Sequence, residues 1–174
     1  LVEVIVVLLL MGVLTLVVPG RGFYLEGSGR GLWVETEADV GALRPGDRLN
    51  VVGFPAFGAW NPVLQDATFR VEGTAVLDPP PQVTPREARS GSYDCRRVTI
   101  DATLLETSEL GDAPTVVLQR DGVMFVAAWL PGSLSGRLRP LAPGSRVRVT
   151  AVCLNRRLES LWPAFELRPV DRLD

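Results

Sequence analysis

The side chains of this sequence best suited to recognition chemistry are aromatic. Tyr24 and Trp33 fall in short apolar segments, and Gly53-Phe54-Pro55-Ala56-Phe57-Gly58-Ala59-Trp60-Asn61-Pro62 brings Phe57, Trp60 and the amide of Asn61 into one Gly/Pro-rich stretch. Flat rings held open to solvent stack on bases or sugars. The same rings turned inward plug the open end of a small barrel, because each buries a large area. Asn61 then serves either a ligand or the turn itself. The corresponding stretch in the second half, Leu154-Asn155-Arg156-Arg157-Leu158-Glu159-Ser160-Leu161-Trp162-Pro163, trades rings for charge. There Arg156 and Arg157 would meet an anion or a partner's carboxylate, or belong to a solvated loop.

Other chemistry is sparse. Cys95 and Cys153 are the only cysteines, and with no CxxC spacing a zinc ribbon or thioredoxin-type motif is excluded. They read as two buried thiols or as one disulfide, which would need an oxidising compartment. Glu35 and Glu37 lie two apart with Asp66 further on, but a glycosidase needs two carboxylates in an enclosed cleft and nothing here predicts one. Nucleophile elbows, phosphate loops and EF-hand loops are absent. Gly27-Ser28-Gly29-Arg30-Gly31 opens a strand rather than a helix, so it lacks the dipole of a phosphate site.

Composition closes most remaining routes to catalysis. All 18 basic residues are arginine, and the chain of 174 residues has no lysine and no histidine. A histidine base, a Schiff-base lysine and a histidine metal ligand are therefore excluded. No catalytic residue, metal or cofactor is expected. With 20 acidic residues the formal charge is −2 and the pI about 5.3. A general nucleic-acid binder carries a basic surplus, so the balance argues against nucleic acid as a bulk partner and leaves only a local arginine patch.

The elements that must position these residues are short. Seventeen glycines and fourteen prolines punctuate the chain too often for long helices. Residues 1–18 are the most hydrophobic run and begin at Leu1 without an initiator methionine, as in a fragment or processed product. The run is short for a membrane span, and Glu3 before it with Pro19-Gly20-Arg21-Gly22 after it suits a signal peptide poorly. Its β-branched residues favour a strand over 11–18; residues 1–10 stay open between strand and membrane-proximal helix.

An internal repeat organises the rest. Leu43-Arg44-Pro45-Gly46-Asp47-Arg48-Leu49-Asn50-Val51 returns as Leu141-Ala142-Pro143-Gly144-Ser145-Arg146-Val147-Arg148-Val149, at an offset of about 98. The same offset pairs Thr68-Phe69 with Glu166-Leu167, while Tyr24-Leu25-Glu26 aligns with Val117-Leu118-Gln119 and Leu32-Trp33-Val34 with Met124-Phe125-Val126. Each copy reads as five strands, near 11–18, 22–26, 31–36, 47–57 and 63–72, then near 97–107, 115–120, 123–129, 145–154 and 163–170. Gly27-Ser28-Gly29 and Arg120-Asp121-Gly122 supply hairpin turns. Residues 38–43 and 134–141 leave room for a turn or two of helix after the third strand. The expected fold is all-β: two tandem small Greek-key barrels of the OB type, at 11–76 and 95–174. They are joined over 77–94 by the stiff Leu77-Asp78-Pro79-Pro80-Pro81 linker and a short helix opened by the capping box Thr84-Pro85-Arg86-Glu87, with Gly91 to close it.

Pro19-Gly20-Arg21-Gly22-Phe23-Tyr24-Leu25-Glu26, Gly31-Leu32-Trp33-Val34 and Leu43-Arg44-Pro45-Gly46-Asp47-Arg48 with Val51-Val52-Gly53-Phe54 resemble the extracytoplasmic region of certain bacterial membrane-bound sensor histidine kinases. So does Val83-Thr84-Pro85-Arg86-Glu87-Ala88 with Ser90-Gly91, Tyr93-Asp94 and Val98. The likeness covers nearly the whole chain from about residue 11. It implies two OB-like barrels ahead of a membrane span and a cytoplasmic kinase module, hence a non-catalytic sensor region of a two-component protein. The implied location is the periplasmic face of the inner membrane, and the implied partner a small ligand or protein. Two other readings stand beside it: an OB module for single-stranded nucleic acid or oligosaccharide using Trp33, Phe57 and Trp60, and a structural spacer or dimerisation region that forms a homodimer.

Overall fold

The computed structural model describes residues 6–58, 60–108, 113–130, 141–155 and 165–169. Within them lie β1 (Leu8–Val18), β2 (Gly22–Gly27), β3 (Arg30–Glu35), β4 (Asp47–Phe57), β5 (Pro62–Thr74), α1 (Pro85–Ala88), β6 (Arg97–Ser108), β7 (Thr115–Arg120), β8 (Val123–Ala128), β9 (Arg146–Asn155) and β10 (Phe165–Pro169). They close two barrels in one order, β1-β2-β3-β5-β4 and β6-β7-β8-β10-β9. All pairings are antiparallel except β3 with β5 and β8 with β10. That is the five-stranded Greek-key barrel of the OB type, formed twice. Contacts divide the chain into two compact units, with the boundary between Asp78 and Pro79.

Alternation decides what each strand buries. In β4, Leu49 and Val51 enter the first core while Arg48 and Val52 face water; in β9, Val147 and Val149 enter the second while Arg146 and Arg148 stay out. The first core gathers Leu14, Phe23, Leu25, Val34, Leu49, Val51 and Leu64, with Phe23 edge-on to Phe69 at 5.3 Å. Phe125 stacked on Phe165 at 4.9 Å anchors the second.

The repeat has a structural cause. Gly46 N donates to the Leu14 carbonyl at 2.8 Å, and Gly144 N donates to that of Leu104 at 2.7 Å. Both glycines hold positive φ, +98° and +91°. Leu14 and Leu104 also mark the same bulge in the first strand of each barrel. The Pro-Gly turn is thus the clasp that ties the start of the fourth strand to the bulge in the first.

Three expectations need correction. The two third strands align one residue differently: Tyr24 pairs with Trp33 and its counterpart Val117 with Val126, so Trp33 corresponds to Val126 and not to Phe125. The slip matters because one residue moves a side chain to the other face of a sheet. Similarly Leu64, not Phe69, is the counterpart of Leu167, since each follows the first residue of a parallel pairing with the third strand. Residues 38–43 form no helix; Leu43 N bonds the Val40 carbonyl at 3.1 Å in a turn that drops both side chains into the core. Residues 134–140 of the matching insert lie outside the described residues. Of the residues left open between strand and helix, Leu8–Leu10 continue the expected strand.

The capping box forms as its residues dictate. Thr84 Oγ1 accepts from Glu87 N at 3.3 Å and Glu87 Oε2 accepts from Thr84 N at 2.7 Å. The helix does not stand apart on a linker. Val83 and Ala88 join the second core, and residues 81–83 bond along β6 through Val83 N to Thr99 O and Thr99 N to Pro81 O, both at 2.9 Å.

Candidate functional site

On the first barrel, β2 and β3 carry Phe23, Leu25 and Val34 inward, which leaves Tyr24 and Trp33 on the opposite face. As direct cross-strand partners their rings approach to 4.6 Å at a tilt of 42°, a favourable aromatic geometry. Tyr24 is buried beneath the pair and Trp33 is partly open. Trp33 is therefore the ring of the pair that solvent reaches, and Tyr24 the one packed behind it. Trp33 Nε1 donates to Glu35 Oε1 at 3.1 Å, and Gln65 Nε2 donates to Glu35 Oε2 at 3.1 Å. With both oxygens engaged, Glu35 orients the indole.

The hairpin between β4 and β5 flanks this face. Trp33 registers with Val63, Val63 with Ala56, and Phe57 with Pro62. Phe57 is fully exposed and Trp60 is 45% exposed, so neither plugs the barrel. Asn61 sits partly buried at the hairpin's end, where Gly58 packs so close to the Asn61 carbonyl that a Cβ would collide with it. Beyond the far end of β3, Gly20, Arg21, Glu35, Thr36, Glu37, Gln65 and Asp66 line a shallow depression of about 350 Å³. It brings together the three carboxylates singled out in the sequence, but in an open setting.

Arg156 and Arg157 lie outside the described residues. Cys95 and Cys153 are buried and unbonded to each other, although Cys95 N donates to the Cys153 carbonyl at 2.8 Å. Their sulfurs have other partners: Cys95 Sγ donates to Asp94 Oδ2 and Cys153 Sγ to the Ala88 carbonyl, each at 3.7 Å. Burial pushes the Cys153 thiol up to about 12, helped by the Asp94 charge. No group of metal-ligating side chains forms among the described residues, and no described helix is long and apolar enough to cross a membrane.

Sequence reasoning missed a groove of about 750 Å³ on the second barrel, lined by Asp101, Thr103, Gln119, Arg120, Arg146 and Arg148 among others. Asp101 binds Arg148 through Nε at 2.6 Å and Nη2 at 3.2 Å, and also accepts from Gln82 Nε2 at 2.6 Å. The Arg148 hydrogen bond, foremost, holds the Asp101 carboxyl below its ordinary value. In the sequence Arg146 and Arg148 stand only as part of the repeated Pro-Gly stretch, and the barrel's curvature is what places them beside Arg120.

No family model matches this chain, and no curated protein matches it in sequence. Among solved structures, a murine DNA binding protein bound with ds DNA covers 95% of this chain and 94% of its own, with 7% identity and a TM-score of 0.48. A HINb domain covers 94% and 93% at 14% identity and a TM-score of 0.40. A putative aspartyl-tRNA synthetase from Leishmania major Friedlin matches 52% of this chain at 18% identity and a TM-score of 0.44, the chain spanning 19% of its length. The expectation that nucleic acid is an unlikely partner does not stand: the first of these is a protein bound with ds DNA, and the charge balance behind that expectation fails on this chain itself. A net charge of −2 averages over every face, whereas Arg120, Arg146 and Arg148 gather on one.

Proposed function

We propose that the chain is a non-catalytic OB-type binding module whose first barrel receives single-stranded nucleic acid or an oligosaccharide across β2 and β3. The observation that carries this reading is the Tyr24–Trp33 pair, turned away from the core and fixed by Glu35. A packing ring would be turned inward. Trp33 supplies the stacking surface, Tyr24 backs it, and Phe57 and Trp60 extend the apolar rim. Stacking of this kind is worth about 1–3 kcal/mol per ring and tolerates any base.

Tryptophan fluorescence of the chain titrated with oligonucleotides and with glycans tests the reading. Saturable quenching by one class supports it and names the polymer. Trp33→Ala should weaken binding about tenfold or more, and Tyr24→Ala should weaken it by loosening Trp33. Absence of quenching by either class overturns it.

A second reading concerns setting, and the sequence resemblance supports it. There the module lies on the extracytoplasmic side of a bacterial membrane as the sensing region of a two-component kinase, and passes occupancy of its barrels inward. Recovery of the complete gene is the test: a membrane span and kinase module should follow these barrels, and their absence removes the idea.

A further inference from the structure

We infer that the groove on the second barrel is a binding site for phosphate-type oxyanions, with Arg146, Thr103 and Gln119 as its donors and Arg120 as a second positive charge. Register builds the site. Thr103 pairs with Gln119 on one side and with Arg146 on the other, so the three side chains form one row across β7, β6 and β9. Neighbouring strands lie about 4.8 Å apart, which spreads the row over about 10 Å. The row holds a guanidinium, a hydroxyl and an amide, all able to donate, and all three line the groove. Among the described residues none of the three side chains has a hydrogen-bond or ion-pair partner.

The adjacent row is already satisfied. Asp101 engages Arg148 at both nitrogens and Gln82 besides, so those charges cancel. Arg120 is held loosely: Nη1 donates to the Asp101 carbonyl at 3.3 Å, and Nε lies 3.4 Å from Asp121, whose side chain is 61% exposed. An exposed pair of that kind is worth little and gives way to an oxyanion with several acceptors. Of the groove's three arginines, Arg146 is the unspent charge, and its planar fork matches two oxygens of one phosphate. Because the groove is open, the anion can be free phosphate or a phosphodiester within a chain.

Calorimetric titration of the full chain with inorganic phosphate, and separately with a short thymidylate oligonucleotide, tests the inference. Binding of either is expected, and Arg146→Ala should weaken it about tenfold while Arg48→Ala on the first barrel leaves it unchanged. In the oligonucleotide arm Arg146→Ala should also reduce the salt slope by about 1. Thr103→Val, which keeps the strand's shape, should weaken binding less. Saturation by phosphate alone identifies a small-anion site, and saturation by the oligonucleotide alone a backbone site. Failure of both, equal loss on Arg48→Ala, or binding indifferent to Arg146→Ala overturns the inference. Trp33→Ala separates it from the first-barrel reading, since that change should leave the phosphate titration intact.

Discussion

Burial sets what the two cysteines can do, and a paired arginine what Asp101 can do. With its thiol near 12 and its sulfur enclosed, Cys153 is almost wholly protonated at pH 8, and thiolate is the reactive form. Reaction of the native chain with a thiol-specific disulfide reagent at pH 8 should therefore be slow at both cysteines and become fast only in denaturant; rapid labelling of the folded chain would refute this. Asp101 shows the opposite control. Its folded pKa is depressed, foremost by Arg148, so its contribution is present above the unfolded value and lost as pH falls through the folded one. Asp101→Asn should cost under about 1 kcal/mol at neutral pH, because the pair is exposed, and nothing once the wild-type carboxyl is protonated. Denaturant melts of both proteins across pH 2–7 check the sign. The residues of the candidate first-barrel site were legible as aromatic positions, but which ring is open and which is covered was not. Tyr24 and Trp33 look alike in sequence and differ only in which one covers the other.

At the scale of elements, alternation and turn chemistry revealed nearly every strand, because period-two burial and Pro-Gly turns are local signals. What escaped was register. The parallel partner of Trp33 depends on bulges in β1 and β5, and a bulge adds a residue without changing hydrophobicity. Phe125 and Val126 are both apolar, so sequence could not choose which one answers to Trp33. The Pro-Gly clasp offers a paired test. Gly144→Ala strains a left-handed φ with open space around the new Cβ, whereas at Gly46 the Cβ would also lie 3.3 Å from the Ala75 carbonyl. Gly144→Ala should cost about 1–2 kcal/mol from backbone conformation alone, and Gly46→Ala more. Thermal melts of the two variants should rank them in that order, and equal losses would show that the carbonyl yields freely.

For the whole molecule, the question is where an independently stable piece begins. The proline run suggested a linker up to residue 94, because composition shows where a chain is stiff but not what it touches. Contacts put the boundary at Asp78 instead, and three observations explain why. Residues 81–83 bond along β6, Val83 and Ala88 are buried in the second core, and Asp94 Oδ1 accepts from the Asn155 amide at 2.8 Å in a buried setting. A fragment spanning 79–174 keeps all three, and one spanning 95–174 loses them. Two lost apolar side chains and an orphaned buried amide sum to about 3–5 kcal/mol, a large share of what a domain of this size has to spend. The longer fragment should therefore fold cooperatively in urea, with a midpoint well above that of the shorter one, which should be partly or wholly unfolded in water. Equal midpoints would mean that α1 and its approach merely lie on the barrel, and the second unit would then begin where the proline composition first placed it.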